Sequence, residues 1–425
     1  MSQINKKFTI ATLGCRTNQY ESQAYFDQLR ALGFVQAGPG ESADLCIINT
    51  CTVTEVADKK SLAALRGLIR RNPGAKIAVT GCLAEREKKR IEAIEGVSIV
   101  VPNNVKEDLL SLALEIENFP EFKITQFEAH TRAFVKIQDG CNSYCSYCII
   151  PFVRGRSRSK TIPTIIKEVE ELVRNGYKEV VITGINVGDF DGGDSTNGSR
   201  LSELITVLDQ IEGLHRIRIS SIDPDEVEED LLLAVVNGKK TCHSMHIVLQ
   251  SGSNSILKRM NRKYTKQDFL HTIDRLRKAS PHFTFTTDII VGFPGESELD
   301  FIETLQMVDE IRFAKVHIFP YSSRPKVRSS RFPDPIPIYE IQRRKHILLA
   351  KANQVAFDLR NDFIGKELEV LIESNDTARG DGYMCGHTDN FLQVSVQPSP
   401  LLLKNTIVRV KAFANEADSL LARVL

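Results

Sequence analysis

The chain has 425 residues, 42% of them hydrophobic and 26% charged, with 55 Lys and Arg against 54 Asp and Glu. That composition fits a folded globular protein of two or three domains and excludes a disordered chain, while the even charge balance excludes any argument for nucleic acid from total charge. No apolar run reaches the roughly 20 residues of a membrane helix, and the opening "MSQINKKFTIATLGC" has neither the apolar length nor the cleavage site of a signal peptide, so a cytosolic, non-membrane protein is expected.

Residues 7 to about 128 alternate strand and helix. "FTIATLG" is a short apolar run, "NQYESQAYFDQLRALG" an amphipathic helix that Gly33 is placed to end, and "ADLCIINT" the next strand. A helical stretch through Arg70 follows, then the strand "AKIAVTG", a helix over "AEREKKRIEAIEG", and the pair "VSIVVP" and "KEDLLSLALEIE". Such alternation predicts a parallel sheet with helices on both faces. Cys15, Cys51 and Cys82 share one address in it, each directly after a strand in "IATLGC", "IINTC" and "AVTGC". The carboxyl ends of parallel strands line the binding crevice, so three thiols distant in sequence should meet at one rim as a metal site. The alternative is three small residues in tight turns, since Cys is often only a buried hydrophobe.

From about residue 132 the alternation restarts with the strands "AFVKI", "EVVITG", "RIRISSI", "SMHIVLQ", "FTFTTDIIVG" and "AKVHIFPYS". Six strand–helix units are too few for the closed eight-stranded barrel, so an open, partial barrel is expected, with ligands at its carboxyl ends. "DFDGGDSTNGS" is a polar loop expected to be mobile. A long helix from about Ile338 to Phe363 leads out. The short alternating segments "KELEVLIES", "GYMCGHT", "FLQVSV", "TIVRVKAFA" and "SLLARVL" then read as a small antiparallel β-barrel. The expected domains are 1–128, 129–362 and 363–425, and no solenoid repeat is present.

The nine cysteines suit metal or redox chemistry better than a disulfide framework. Cys141, Cys145 and Cys148 are spaced Cys-x3-Cys-x2-Cys, and the cationic Arg154, Arg156 and Arg158 follow. Four thiolates complete a zinc site or a four-iron cluster; three leave one metal corner open for a substrate or cofactor. A zinc site closed by a distant His or Cys is one alternative, and a surface loop with incidental thiols another. Cys46, Cys242 and Cys385 read as structural.

The spacing, with Tyr147 before the last cysteine, resembles the signature of the radical S-adenosylmethionine superfamily. "GCRTNQYES", "NTCTVTEVADKK", "TGCLAE", "QDGCNSYCSYCIIPFVRGRSRS", "TGINVGDF", "SSIDPDEV", "LQSGSNSILKRMNRKYT", "TTDIIVGFPGE" and "HIFPYS" resemble one branch, the methylthiotransferases, across nearly the whole chain. "GCRTNQYES" with "CSYCIIPFVRGRSRS" is most similar to the branch acting on threonylcarbamoyl-adenosine in tRNA; isopentenyl-adenosine in tRNA and an aspartate of a ribosomal protein are the substrates of the others. An iron–sulfur or zinc RNA-binding protein without catalysis is the reading from another class.

The resemblance implies two 4Fe-4S clusters. Cys141, Cys145 and Cys148 would hold the one that binds S-adenosylmethionine and generates a 5′-deoxyadenosyl radical; Cys15, Cys51 and Cys82 would hold an auxiliary one carrying the sulfur to be transferred. Close placement of both around the base would be the protein's main contribution. It further implies that Tyr147, Gly184, Asn186, Gly292 and Gly295 border the S-adenosylmethionine, that the terminal barrel is TRAM-like, and that the partners are tRNA and an electron donor such as flavodoxin or ferredoxin, with the enzyme a monomer. Gly184 has an equal claim as a simple turn glycine, while Asp288 and Gln250, polar residues near strand ends, read as satisfied structural groups and are not assigned a catalytic role. Arg154, Arg156 and Arg158 are candidates to bind RNA phosphate or the cofactor carboxylate, and the run Arg324, Lys326, Arg328, Arg331, Arg343, Arg344, Lys345 and Lys351 is a candidate phosphate track or a solvated face. Residues 363–425 hold six Lys and Arg against eight Asp and Glu, which weakens that barrel as an RNA grip. Two departures from the family pattern are Val248 in place of proline, and Lys326 and Val327 in place of Gly-Thr in a loop expected to face substrate.

Overall fold

The computed structural model describes residues 6–127, 130–194, 198–380 and 382–425. The expected boundary at 128/129 and the 195–197 tip of the polar loop lie outside them. The amino-terminal sheet is all parallel, ordered β2-β1-β3-β4-β5, from β1 (Lys7–Thr12), β2 (Val35–Gln36), β3 (Leu45–Thr50), β4 (Lys76–Gly81) and β5 (Ile99–Val100). Every residue of β3 is buried, as expected of a central strand covered on both faces. Helix α1 (Arg16–Ala31) ends where Gly33 adopts φ +84°. Helix α2 (Glu55–Arg71) is capped by Thr54, whose hydroxyl accepts from the Ala57 N–H at 3.1 Å, with Glu55 and Asp58 in its first turn and Arg70 and Arg71 in its last. The expected helix over 84–96 is instead two short helices, Cys82–Arg86 and Lys88–Glu92, because the chain turns at Glu87 (φ −118°, ψ 32°).

The central sheet is a six-stranded, all-parallel, open barrel built from β6 (Arg132–Lys136), β9 (Glu179–Thr183), β10 (Arg216–Ile222), β11 (Thr241–Ile247), β12 (Thr284–Val291) and β13 (Lys315–Pro320), ordered β13-β12-β11-β10-β9-β6. A two-residue pairing of β7 (Gln138–Asp139) with β8 (Arg158–Ser159) brackets the three-cysteine loop. Alternation sorts the faces. Ala133 and Val135, Met245 and Ile247, Phe285 and Ile289 pack into the helical shell. Arg132 and Phe134, Ser244 and His246, Thr286 and Asp288 take the other, lumenal face. The strands β6 and β13 do not pair, and α1 lies along this open side. Its Tyr20 and Ala24 join the barrel core, while Tyr25, Phe26 and Leu29 join the amino-terminal core. One helix thus fixes the two sheets against each other.

The helix Ile338–Asn361 leads to the closed terminal barrel of β14 (Glu367–Asn375), β15 (Met384–Thr388), β16 (Gln393–Val396), β17 (Ile407–Asn415) and β18 (Leu420–Val424), around Val370, Ile372, Val394, Val410 and Leu420. Its strands coincide with the five expected segments, but β16 and β18 run parallel, so the barrel is mixed rather than purely antiparallel. Among the described residues no helix is long and apolar enough to cross a membrane.

Candidate active site

The register Thr12↔Asn49 and Thr50↔Gly81 aligns the ends of β1, β3 and β4, and brings Cys15, Cys51 and Cys82 to one rim. Gly14 makes the approach possible. It sits at φ +100°, and a Cβ there would lie 2.8 Å from the Cys51 Cβ and 2.9 Å from its sulfur. Asn18, in the first turn of α1, donates to the Leu13 carbonyl at 2.6 Å and the Thr50 carbonyl at 3.1 Å, pinning two of the three turns. Burial pushes the Cys51 thiol up to about 11, with Cys82 and Cys15 adding to it; burial also raises Cys82.

Behind this rim lies a buried charge cluster. Arg154 donates from Nε to the Cys82 sulfur at 3.3 Å, and from Nη1 to Glu21 at 3.0 Å and Asp139 at 2.8 Å, while Nη2 meets the Asn18 side chain. Lys106 reaches Glu21 at 2.6 Å and Asp139 at 2.5 Å, and Lys136 reaches Glu21 at 3.4 Å. Three buried cations thus face two buried carboxylates, a surplus of one positive charge turned toward the sulfurs. Burial alone would raise Glu21 and Asp139; Arg154, then Lys106 and Lys136, hold both well below the usual carboxylate range. Arg154 is therefore part of the interior, not a surface contact for phosphate, and Arg158 pairs with Asp139 at 3.1 Å.

Cys141, Cys145 and Cys148 occupy one loop, held by main-chain bonds from Cys141 N to the Gly155 carbonyl at 3.2 Å and from Ser146 N to the Met260 carbonyl at 2.9 Å. Gly140 (φ +75°) lets this loop pass against Arg156, whose carbonyl oxygen would be 2.0 Å from an added Cβ. Arg262, braced by Asp223, donates to the Cys145 sulfur at 3.0 Å. Burial raises the Cys141 and Cys148 thiols, and Cys145 raises both further. Each triad therefore has a guanidinium on one sulfur. Around a zinc ion with bonds of about 2.3 Å, sulfurs would stand roughly 3.8 Å apart. Neither triad is so tight: among the described residues, the set of three ligand atoms within 4.8 Å of one another is His246, Asp288 and His317.

Between the two triad regions lies a chamber of about 160 Å³ lined by Val53 and Thr54, which follow Cys51, by Tyr147 to Ile150 including Cys148, and by Gln250, Asp288, Ile290 and Phe319 to Ser322 from the barrel. Val327, one of the departures from the family pattern, is buried with Cys82, Ile149 and Val153, so that loop contributes packing between the triads there. Tyr147 meets Phe293 edge-on with centroids 6.3 Å apart. The other expected cofactor residues lie off the chamber lining. Gly184 passes close to Gln138, whose Oε1 accepts from the Ile185 and Asn186 N–H groups, and Asn186 donates its side-chain amide to Glu226 at 2.6 Å. Gly292 (φ +75°) lies under Ile341, and Gly295 (φ +80°) over the Arg259 guanidinium.

Several lumenal groups were not singled out by spacing. His246 Nε2 is 3.3 Å from Asp288 Oδ1 and His246 Nδ1 is 2.9 Å from the Thr286 hydroxyl, while Asp288 and His317 face each other across β12 and β13. Their signal is polar residues alternating with apolar ones on neighbouring strands. The expected phosphate track is largely spent: Arg324 pairs with Asp58, Arg344 with Glu296 at 2.8 Å, Arg343 with Glu298 at 2.6 Å and Lys351 with Asp309 at 2.9 Å. Lys326, Arg328 and Arg331 remain exposed.

Two family models match, the Radical SAM superfamily over residues 135–308 and the Uncharacterized protein family UPF0004 over residues 7–102. A Chlamydia pneumoniae protein named threonylcarbamoyladenosine tRNA methylthiotransferase MtaB is 45% identical over all of both chains. Its Bacillus subtilis namesake is 36% identical over 94% of this chain and 92% of its own. This chain belongs to the radical S-adenosylmethionine methylthiotransferase family. A Clostridium novyi tRNA-2-methylthio-N(6)-dimethylallyladenosine synthase is 35% identical over 87% of this chain and 86% of its own, so the family spans more than one nucleoside. The fold is also similar to TsrM, a radical S-adenosylmethionine methyltransferase from Kitasatospora setae, with a TM-score of 0.55 at 12% identity over 75% of each chain. As a family member the chain is an S-adenosylmethionine-dependent transferase with a radical SAM module.

Proposed function

We propose that this methylthiotransferase converts N6-threonylcarbamoyladenosine at position 37 of tRNA, beside the anticodon, to its 2-methylthio derivative, using two four-iron clusters. The observation that carries the reading is a single chamber lined by Cys148 of one triad and by Val53 and Thr54, which directly follow Cys51 of the other. Four-iron clusters suit the donors: buried thiols that raise one another need a metal to ionise them, and thiolate-bound clusters suit the cationic surplus at Cys82 and the guanidinium at Cys145. Cys141, Cys145 and Cys148 would hold one cluster, Cys15, Cys51 and Cys82 the other. When bound, these groups and S-adenosylmethionine supply a radical able to break an unactivated aromatic C–H bond, and the sulfur that replaces the hydrogen.

The chain's own residues bind, orient and exclude water. Tyr147, Ile149, Ile150 and Phe319 form the apolar part of the chamber, which keeps a reactive centre away from solvent. Arg154, covalently continuous with the three-cysteine loop and bonded to Cys82, holds the triads in fixed register. The exposed Lys326, Arg328 and Arg331 follow the chamber-lining Ser322 and are available for RNA phosphates. An external one-electron donor such as flavodoxin or ferredoxin completes the system, which we place in the cytoplasm as a monomer.

The test is anaerobic reconstitution with RNA nucleoside mass spectrometry. The protein should hold about eight irons. The triple change Cys15→Ala, Cys51→Ala, Cys82→Ala should lower this to about four, keep 5′-deoxyadenosine formation and abolish methylthio transfer. Transfer surviving the triple change, or tRNA from gene-deleted cells retaining the 2-methylthio derivative, refutes the reading.

A further inference from the structure

Arg16 directly follows Cys15 and opens α1. Its guanidinium carbon lies 5.5 Å from the ring centre of Phe134 on β6, at the open side of the partial barrel. Across the lumen its charge acts on His317 of β13, and the charges around it are Arg132 and Arg218 of like sign and Asp288 and Glu179 of opposite sign. Arg132 closes on Glu373 at 3.1 Å, Arg218 on Glu179 at 2.7 Å, and Arg154, Arg262 and Arg324 each on a carboxylate. Among the described residues Arg16 forms no ion pair and no hydrogen bond.

A half-buried guanidinium beside two further arginines, with no carboxylate in ion-pair contact, is unfavourable. The nearest remedy would be an internal pair with Asp288, but no ion pair forms, and Asp288 is occupied by His246 at 3.3 Å. His246 Nε2 is buried and makes no hydrogen bond, to Asp288 or to any other group, and Gln250 Oε1 is likewise unsatisfied. Asp288 and Gln250 line the chamber between the cysteine triads. Asp288 thus links Arg16 and the chamber: it lines the chamber, it lies 3.3 Å from His246, and it is within reach of the Arg16 charge.

We propose that Arg16 is the receptor for a carboxylate on the N6 substituent of the substrate adenosine, with His246 and Asp288 hydrogen-bonding the amide and hydroxyl groups of that substituent. This rests on the methylthiotransferase reading and assigns its selectivity. The threonylcarbamoyl group offers one carboxylate, a urea and a hydroxyl, and a planar guanidinium takes a carboxylate through two parallel bonds. A prenyl substituent offers none of these and would leave the polar wall unpaired, the situation in which a site discriminates most strongly.

The experiment compares three anticodon stem-loop RNAs on the reconstituted full chain: one with threonylcarbamoyl-adenosine, one with its carboxamide, and one with isopentenyl-adenosine. Methylthio product per unit time at limiting RNA is read by mass spectrometry, together with iron content. The wild type should favour the acid over the carboxamide by about 100-fold, Arg16→Gln should reduce this ratio to about threefold, and Arg16→Lys should retain about tenfold, with iron unchanged in both. The ratio is internal to each variant, so a general loss of activity cancels. A wild type indifferent to acid and carboxamide overturns the proposal, as does an Arg16→Gln enzyme that slows on both RNAs with the ratio intact. Failure of the proposed function looks different: the wild type would then modify the isopentenyl RNA and leave both threonylcarbamoyl forms untouched.

Discussion

Arg154→Met removes the side chain that joins the two cysteine regions. Arg154 makes four polar contacts in the interior, to Cys82, Glu21, Asp139 and Asn18. Removing one partner of a buried ion pair costs about 3–5 kcal/mol because the other charge is stranded. Here Glu21 keeps Lys106 at 2.6 Å, and Asp139 keeps Lys106 at 2.5 Å and Arg158 at 3.1 Å. Both carboxylates therefore stay paired, and the loss should fall at the lower end, about 3 kcal/mol. The effect on Cys82 is larger in proportion. Three cations against two carboxylates become two against two, so the surplus that faces the thiolates disappears. A unit charge 4 Å away is worth about 4 kcal/mol at an effective dielectric of 20.

Stability would be measured by anaerobic denaturant unfolding of the iron-loaded protein, and coupling by 5′-deoxyadenosine formed per methylthio group transferred. The expected result is a fall of about 3 kcal/mol and a rise of about tenfold or more in uncoupled 5′-deoxyadenosine. Arg154→Lys should lie between, since an ammonium restores the charge but cannot reach four acceptors in a plane. A loss under about 1 kcal/mol with coupling intact would show that this guanidinium is neither buried support nor a partner of Cys82.

Gly14→Ala should remove about half of the iron while 5′-deoxyadenosine formation persists, because the new methyl group would occupy the space 2.9 Å from the Cys51 sulfur at a φ of +100°; unchanged iron content would count against the rim as a cluster site. Burial first, then Asp223, push the Glu226 carboxyl up to about 7, so between its unfolded value of 4.5 and pH 7 the folded chain holds a proton that the unfolded chain has lost. This contribution is fully present below the unfolded value and is lost as pH rises from there through 7, by on the order of 3 kcal/mol. Glu226→Gln should therefore flatten the thermal midpoint between pH 5 and 7 and raise it at pH 8; parallel curves for the two proteins would contradict the assignment.

The parallel strand–helix alternation and the two triads were legible because each rests on local pattern. Cys15, Cys51 and Cys82 follow strand ends, and parallel register converts equivalent positions into neighbours. The terminal barrel's five segments were legible from period-two alternation, but the parallel pairing of β16 with β18 depends on how a closed sheet is completed, which no local signal encodes. Charge was the least legible property. Arg154 stands in a run of arginines that reads as a surface, yet it is 2% exposed. Arg324 and Arg344, in a basic stretch, are buried on Asp58 and Glu296. Their partners lie far away in sequence, so one-dimensional charge counting reports the cations and misses what neutralises them. Arg16 fails in the opposite direction: nothing in its surroundings in the sequence marks it as the arginine left without a partner.

The terminal barrel likewise supplies partners distant in sequence. Arg216 donates to the His387 carbonyl at 3.0 Å and the Glu369 carbonyl at 2.8 Å, and Arg218 donates to the carbonyls of Asp389 and Thr388 at 3.0 and 3.1 Å. Thr284 donates to the Asn390 carbonyl, and Arg132 pairs with Glu373. These donors stand at or near the amino-terminal ends of β6, β10 and β12, so the 387–390 turn caps the end of the partial barrel opposite the chamber. A lumen lined with Arg132, Glu179, Arg216 and Arg218 would otherwise open to water at that end, and water entering there would weaken the electrostatics around Arg16 and Asp288. The acceptors are main-chain carbonyls apart from Glu373, whose carboxylate supplies the terminal barrel's one acidic side chain among these contacts with the cationic floor.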